Sequence, residues 1–197
     1  MDLLQSCGDG IADVIFGAAP PAGKMPVTAY ASQDQAGNIT DMDMSKGRTY
    51  RYLQGEPVYP FGFGLSYTTW EYASLRPNSS GSVLPTSVVG VTMSVKNAGA
   101  VDSAQVIQLY AAFASDFASR PANASHHIPV RQLVAFQKVF VRSGESRDVS
   151  MAFVPDRLAG WYLFQHVDGV TLHLAAGDVS PTPKTLSNLQ TTSIDIH

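Results

Sequence analysis

The stretch that decides the fold runs from residue 88 to residue 97 and reads Val-Val-Gly-Val-Thr-Met-Ser-Val-Lys-Asn. Its apolar residues recur at every second position: Val89, Val91, Met93 and Val95. Successive side chains of a strand point to opposite faces, so this period of two predicts a strand with one buried face. Asn97-Ala98-Gly99 then predicts a turn.

Four stretches downstream carry strand signals of the same kind. They are residues 107–113, 133–141, 149–153 and 170–174. Asp168-Gly169 adds a hairpin signal before the last of them. Several short strands at regular spacing, without a long helical pattern, predict a mainly β protein built as an antiparallel β-sandwich. From residue 180 the chain is rich in Ser, Thr and Pro, and we expect a frayed tail.

Upstream of the strands the pattern changes. Ile11 and Ile15 lie four residues apart and Gly17 stands at a C-cap position, so residues 8–16 predict a short amphipathic helix. Residues 24–28 predict a brief extended segment, because Pro26 disfavours helix. A lone helix and strand cannot bury their apolar faces, so we expect them to be the incomplete end of an α/β layer.

A long aromatic-rich connecting strap joins this α/β remnant to the sandwich. Its rings are Tyr50, Tyr52, Tyr59, Phe61, Phe63, Tyr67, Trp70 and Tyr72. Glycines interrupt the segment too often for one strand, and we predict that the rings pack into a domain junction. The sequence therefore divides into residues 1–30 (α/β end), 31–82 (strap and linker), 83–179 (sandwich) and 180–197 (tail).

Composition argues against several classes of partner. Charged residues make up 15% of the chain, the net charge is −3, and Lys and Arg form no run, so neither nucleic acid nor an anionic membrane surface is an expected partner. No stretch reaches the about 20 apolar residues of a membrane span. Cys7 is the only cysteine and lies in no metal or redox motif. We therefore predict neither a metal nor a cofactor.

Ordered blocks of sequence resemble the C-terminal part of glycoside hydrolase family 3. The most specific block is residues 59–68, Tyr-Pro-Phe-Gly-Phe-Gly-Leu-Ser-Tyr-Thr. The others are residues 11–17, 21–27, 47–52, 97–99 with 105–110, 131–139, 143–146 and 156–158. In that family the first blocks end an α/β-sandwich domain and the later ones belong to a fibronectin-III-like β-sandwich of the immunoglobulin type. Asp41-Met42-Asp43-Met44 is more similar to the β-xylosidase branch than to the β-glucosidase branch.

The resemblance implies a secreted, retaining exo-glycosidase that hydrolyses β-linked xylosides or glucosides. Retention needs two carboxyl groups about 5–5.5 Å apart, one as nucleophile and one as acid/base. In the family both lie in upstream domains, and no motif here matches them, so we expect this chain to be inactive alone and to support an upstream barrel and α/β-sandwich domain. Its first residues lack an export signal, which would also lie upstream. The alternative is a non-catalytic module that binds cell-wall polysaccharide or a protein partner through exposed aromatic rings.

Four residues of the strap are candidates for sugar contact. Asp41 and Asp43 are two apart, which places them on one face of an extended chain, as ligands of a sugar hydroxyl or a cation or as a solvated pair. Arg48 and Tyr50 would line a sugar pocket or take part in cation–π and ring packing at the junction. Motifs for N-glycosylation begin at Asn38, Asn78 and Asn123. The loop 115–128, with His126-His127, matches nothing in the family.

Overall fold

Seven strands form two antiparallel sheets in the computed structural model, which describes residues 5–79, 81–120, 128–158 and 170–196. The strands are β1 (Trp70–Pro77), β2 (Val89–Asn97), β3 (Ser103–Ala112), β4 (Gln132–Val141), β5 (Ser146–Phe153), β6 (Val170–Gly177) and β7 (Gln190–Ile196). One sheet has the order β1-β2-β5 and the other has the order β4-β3-β6-β7. The prediction of a mainly β, antiparallel sandwich is confirmed.

The core lies between the sheets and contains the alternating residues of β2. Val89, Val91, Met93 and Val95 are fully buried, as are Ile107 on β3 and the leucines that face it on β6. A smaller cluster lies on the opposite face of the same four-stranded sheet, because Tyr110, Ala112 and Ala175 alternate with core residues along their strands. The strap packs against this second cluster through Tyr50 and Phe61.

Two strands lie where the sequence predicted none. β1 occupies residues 70–77 of the predicted strap and linker, so "the strap" hereafter means residues 31–69. The expectation of a frayed tail is wrong, because β7 pairs with β6 from Ile196 opposite Val170 to Gln190 opposite Ala176. β7 is an edge strand whose outward side chains are mostly hydroxylic, so only Ile194 and Ile196 mark its buried face.

The predicted helix and extended segment near the N-terminus are both present. Helix α1 spans Gln5–Ile15, and Gly17 follows it with a left-handed φ of 80°. The next segment runs antiparallel to residues 59–63: the Met25 N–H donates to the Phe63 carbonyl (2.8 Å), and Ala29 bridges Tyr59. Two short helices, α2 (Gln33–Ala36) and α3 (Thr49–Tyr52), interrupt the strap. In the described ranges no helix has the length and apolar character needed to cross a membrane.

Candidate functional site

The strap is fixed to the outer face of the four-stranded sheet by stacked rings. Tyr50 stacks on Phe61 with ring centroids 4.3 Å apart and meets the edge of Tyr110 at 6.0 Å. The Tyr50 hydroxyl accepts a hydrogen bond from the Leu133 N–H (3.2 Å). Both the ring and the hydroxyl of Tyr50 are thus used in packing the strap onto the sheet, and a sugar contact by Tyr50 stays a prediction.

A buried amide joins the strap to two parts of the sandwich. Gln108 donates from Nε2 to the carbonyls of Gly62 (3.2 Å) and Asp178 (3.0 Å), and its Oε1 accepts from the Tyr110 hydroxyl (2.5 Å). Burial raises the pKa of Tyr110 well above its usual value, so this hydroxyl remains a donor. Gly62 has a left-handed φ of 79°, and a Cβ there would lie 2.1 Å from Gln108 Oε1, so only glycine fits.

A buried arginine closes the same junction. Arg131 is 1% exposed, and its guanidinium donates to the carbonyls of Leu53 (2.5 Å) in the strap and Phe117 in the loop after β3. Burial lowers the pKa of Arg131 to about 10, because the apolar surroundings disfavour its charge. Its role is to hold two loops together. Nothing in the sequence indicated this role for Arg131, since arginine is seldom fully buried.

The two predicted acids organise their own loop. Asp41 accepts from the Asp43 N–H (3.0 Å) and from Lys46 Nζ (2.7 Å), and the Lys46 hydrogen bond is the main reason that the pKa of Asp41 is lowered. Asp43 accepts from the N–H (3.0 Å) and the hydroxyl (2.5 Å) of Ser45. Such Asx turns are local alternatives to regular structure. Contact of either carboxylate with a sugar or a cation stays a prediction.

Arg48 lies beside a wide groove in the described part of the chain. Its guanidinium donates to the carbonyls of Asn38 and Asp41, which closes the loop 38–48. The groove has a volume of about 870 Å³ and separates this loop from α2. Its lining includes Tyr30, Gln33, Asp34, Asn38, Met44 and Arg48. Of the four residues proposed from sequence for sugar contact, Arg48 is the one in this lining.

The asparagines of two of the three glycosylation motifs lie in the described residues, although Ser80, the third residue of the Asn78 motif, does not. Asn38 is exposed, and its Oδ1 accepts from both the N–H (3.0 Å) and the hydroxyl (2.9 Å) of Thr40. Asn78 is also exposed and accepts from the Thr92 hydroxyl (2.9 Å). Asn123 and His126-His127 lie outside the described residues. Modification of the asparagines stays a prediction.

Helix α1 presents apolar side chains to solvent. Ile11, Ile15 and Phe16 are 60%, 68% and 86% exposed, although Ile11 and Ile15 form the apolar side of an amphipathic helix. The helix is nevertheless attached to the strap, because the Tyr67 hydroxyl donates to the Val14 carbonyl. The chain therefore carries an exposed apolar surface that is attached to the strap.

Comparisons with known proteins match both halves of the chain. Residues 3–67 match the model of the glycosyl hydrolase family 3 C-terminal domain, and residues 105–178 match that of the fibronectin type III-like domain. A putative β-xylosidase of Formosa agariphila is 31% identical over 160 residues, and a probable β-glucosidase I of Aspergillus niger is 32% identical over 173 residues. Each alignment covers 80% of this chain and 20% of the relative.

The fold agrees with solved structures. The crystal structure of a family 3 β-glucosidase of Bifidobacterium adolescentis has a TM-score of 0.71 and 27% identity, over 95% of this chain and 28% of that chain. The chain spans about a fifth of the length of the curated relatives it matches. Two domain models that match in the family's order lead to one assignment: the chain belongs to glycoside hydrolase family 3 and corresponds to its C-terminal and fibronectin type III-like domains.

Proposed function

We propose that this chain is the non-catalytic C-terminal support of a secreted, retaining exo-glycosidase that acts on β-linked xylosides or glucosides. The observation that carries the proposal is the exposed apolar side of α1, which a hydrogen bond attaches to the strap. The names of the relatives, a β-xylosidase and a β-glucosidase, supply the substrate class. Its partners would be an upstream barrel and the remainder of an α/β-sandwich domain, to which residues 1–30 belong.

The exposed apolar face of α1 favours a further packing partner for this helix. Burial of a large aliphatic side chain contributes about 1.5–3 kcal/mol, and Ile11 and Ile15 leave most of that unused here. An amphipathic helix in an α/β domain buries this stripe against a sheet. The remaining sheet of an α/β-sandwich domain is the partner that fits.

A continuous set of contacts would transmit that docking to the sandwich. α1 is bonded to Tyr67, and Met25 and Ala29 are bonded to the returning segment at Phe63 and Tyr59. That segment continues into Phe61, whose ring is stacked in the junction with Tyr50. The sandwich would therefore fix the edge of the α/β domain, where loops that shape an active site require stable positions.

The acids whose pKa is shifted have the wrong direction for a general acid. A glycosidase acid needs a raised pKa so that it is protonated near neutral pH. Hydrogen bonding with Lys46 lowers the pKa of Asp41. Burial of Asp116 pushes its pKa upward, but hydrogen bonds from Ser119 and from the Ala118 N–H outweigh this and lower it. Both carboxyls are therefore built to remain ionised.

Complementation tests the proposal. A family 3 β-xylosidase truncated before the region that matches this chain should regain hydrolysis of an aryl β-xyloside when this chain is added, while the chain alone should give no turnover. Ile15→Asp, which places a charge on the apolar side of α1, should abolish recovery. Asp13→Lys, on the exposed polar side, is the matched control and should preserve it. Turnover by the chain alone, or recovery unaffected by Ile15→Asp, would refute the proposal.

A polysaccharide-binding module is a second candidate, favoured by two exposed rings. Phe136 and Phe140 on β4 are 70% and 50% exposed, and their partners Gln108 and Ala104 place both on the outer face of the sheet. Aromatic rings aligned on a flat sheet can stack on sugar rings. Retention on insoluble xylan or cellulose, lost in Phe136→Ala with Phe140→Ala but kept in Val101→Ala, would support this role; equal retention of all three proteins would exclude it.

A further inference from the structure

We propose that the groove between α2 and the loop 38–48 is a binding site for neutral sugar rings of an oligosaccharide. Its volume of about 870 Å³ lies within the range of small-molecule sites, about 300–1,000 Å³. Three other grooves formed by the described residues have smaller volumes of about 260, 330 and 400 Å³. A ligand in this groove can therefore contact several of the lining residues at once.

One wall of the groove is braced by the strap itself. Ser32 caps α2 by accepting from the Gln35 N–H (3.2 Å). The Gln35 side chain accepts from the Ala31 N–H (2.7 Å) and donates to the Glu56 carbonyl (3.0 Å). α2 is therefore held at both ends, although four residues are too few for a stable isolated helix.

The opposite wall is braced by the charged network of the loop 38–48. Arg48 bonds the carbonyls at both ends of the segment 38–41, and Lys46 bonds Asp41 across the following turn. Because the two walls are fixed before a ligand arrives, little conformational entropy is lost on binding. Preformed walls of this kind are typical of ligand sites rather than of loose surface loops.

The groups in the lining suit a polyhydroxylated ring. Among the described residues, the Gln33 amide, the Asp34 carboxylate and Asn38 Nδ2 have no protein hydrogen-bond partner, so donors and acceptors are available to hydroxyl groups. Met44 and the Tyr30 ring offer apolar surface for the C–H face of a sugar. Carbohydrate ligands need this combination of hydroxyl-binding groups and apolar surface.

The charge of the groove favours a neutral ligand. Each terminal nitrogen of Arg48 donates one hydrogen bond to a backbone carbonyl, which fixes the guanidinium against the loop while it keeps its positive charge. Asp34 lies in the first turn of α2 with its carboxylate exposed in the lining. The lining therefore carries one negative and one positive charge, so a charged ligand gains no advantage over an uncharged one. The class of ligand is therefore an uncharged oligosaccharide.

The linkage of that oligosaccharide rests on the proposed function, whereas the groove does not. For a β-xylosidase or β-glucosidase the relevant rings are β-linked xylose or glucose, so xylotriose and cellotriose are the probes. The groove would hold rings outside the reaction centre, since the chain carries no motif for the catalytic pair. It would thereby add affinity for longer chains.

An NMR titration of the labelled chain tests the site. The chain is made in a bacterial host so that Asn38 carries no glycan, and xylotriose, cellotriose and sorbitol are added separately. We expect amide shifts confined to residues 30–48 with either trisaccharide, with Kd in the range of about 1 mM, and no such shifts with sorbitol. Asp34→Ala and Gln33→Ala should each weaken binding by about five- to tenfold, the effect of one hydrogen bond.

A matched control and two further outcomes keep the test decisive. Thr191→Ala, in a hydroxyl-lined groove beside β7, should leave the affinity unchanged, and thermal unfolding confirms that each variant is folded. Absence of shifts up to about 10 mM, or equal affinity of Asp34→Ala and the unaltered chain, would overturn the proposal. Complementation by the unaltered chain would still succeed in that case, so failure of this site and failure of the supporting role are distinguishable.

Discussion

Replacement of Gly62 by alanine tests how the strap is held on the sandwich. A Cβ at this position would lie 2.1 Å from Oε1 and 2.6 Å from Nε2 of Gln108, which is buried and cannot remain where it is. Its displacement removes bonds to the Gly62 and Asp178 carbonyls and to the Tyr110 hydroxyl. The residue must also hold a left-handed φ of 79°, which is unfavourable for any side chain other than hydrogen.

The expected loss in free energy of unfolding for Gly62→Ala is the sum of these two contributions. The left-handed conformation costs about 1–2 kcal/mol. Loss of two or three buried hydrogen bonds adds about 2–3 kcal/mol at about 1 kcal/mol each. The total of about 3–5 kcal/mol is a large part of the about 5–15 kcal/mol that stabilises an ordinary domain. We expect a fall in Tm of about 10 °C, since 1 kcal/mol shifts Tm by about 2–4 °C at this size.

Gly144 provides the matched control. It has a similar φ of 77°, but a Cβ at this position would meet nothing within 4 Å, so Gly144→Ala should show the conformational cost alone. Urea unfolding measures both variants. In a Gln108→Ala background, Gly62→Ala should cost no more than Gly144→Ala, because the clash is gone. Equal costs for the two glycines in the unaltered background would refute the reasoning.

Two further predictions concern β7 and the loop after β3. Ile194→Ala should lower the free energy of unfolding by about 2–4 kcal/mol because it empties part of the core, whereas the exposed neighbour Ser193→Ala should change it little; equal effects in urea unfolding would mean that β7 is not part of the cooperative unit. The folded-state pKa of Asp116 lies below the ordinary 3.8, so its contribution is complete above that pH and is lost as pH falls through the folded pKa. Asp116→Asn should therefore be less stable than the unaltered chain at pH 6, with the difference shrinking in acid; a difference independent of pH would contradict this.

Strands with a strong apolar period were predictable, and those dominated by other residues were not. β2 and β5 carry apolar residues at every second position, because one face of each lies in the core. β1 has one buried residue, Leu75, and its aromatic residues resembled those of the strap. β7 has two apolar residues at its end, and its hydroxyl groups matched the composition of a loop. Both strands place few apolar side chains in the core, so their signal is weaker.

The contacts that fix the junction had no signal in the sequence. Arg131 bonds a carbonyl 78 residues earlier, and Asn97 donates to the Val141 carbonyl 44 residues later (3.0 Å). Asn97 was predicted to begin a turn, whereas it is the last residue of β2 and is completely buried. Every residue has a carbonyl, so a side chain that bonds the backbone needs no recognisable partner type. Residues of this kind are identified only once the chain path is known.

The residues that the Gln108 amide joins are synthesised at widely separated times. Gly62 precedes Gln108 by 46 residues, and Gln108 precedes Asp178 by a further 70. Synthesis proceeds at about 5–20 residues per second. The aromatic segment around Gly62 therefore leaves the exit tunnel on the order of ten seconds before Asp178, the last residue that Gln108 contacts. During that interval its tyrosines and phenylalanines remain uncovered, so the nascent chain carries a transient need for shielding that the finished molecule no longer has.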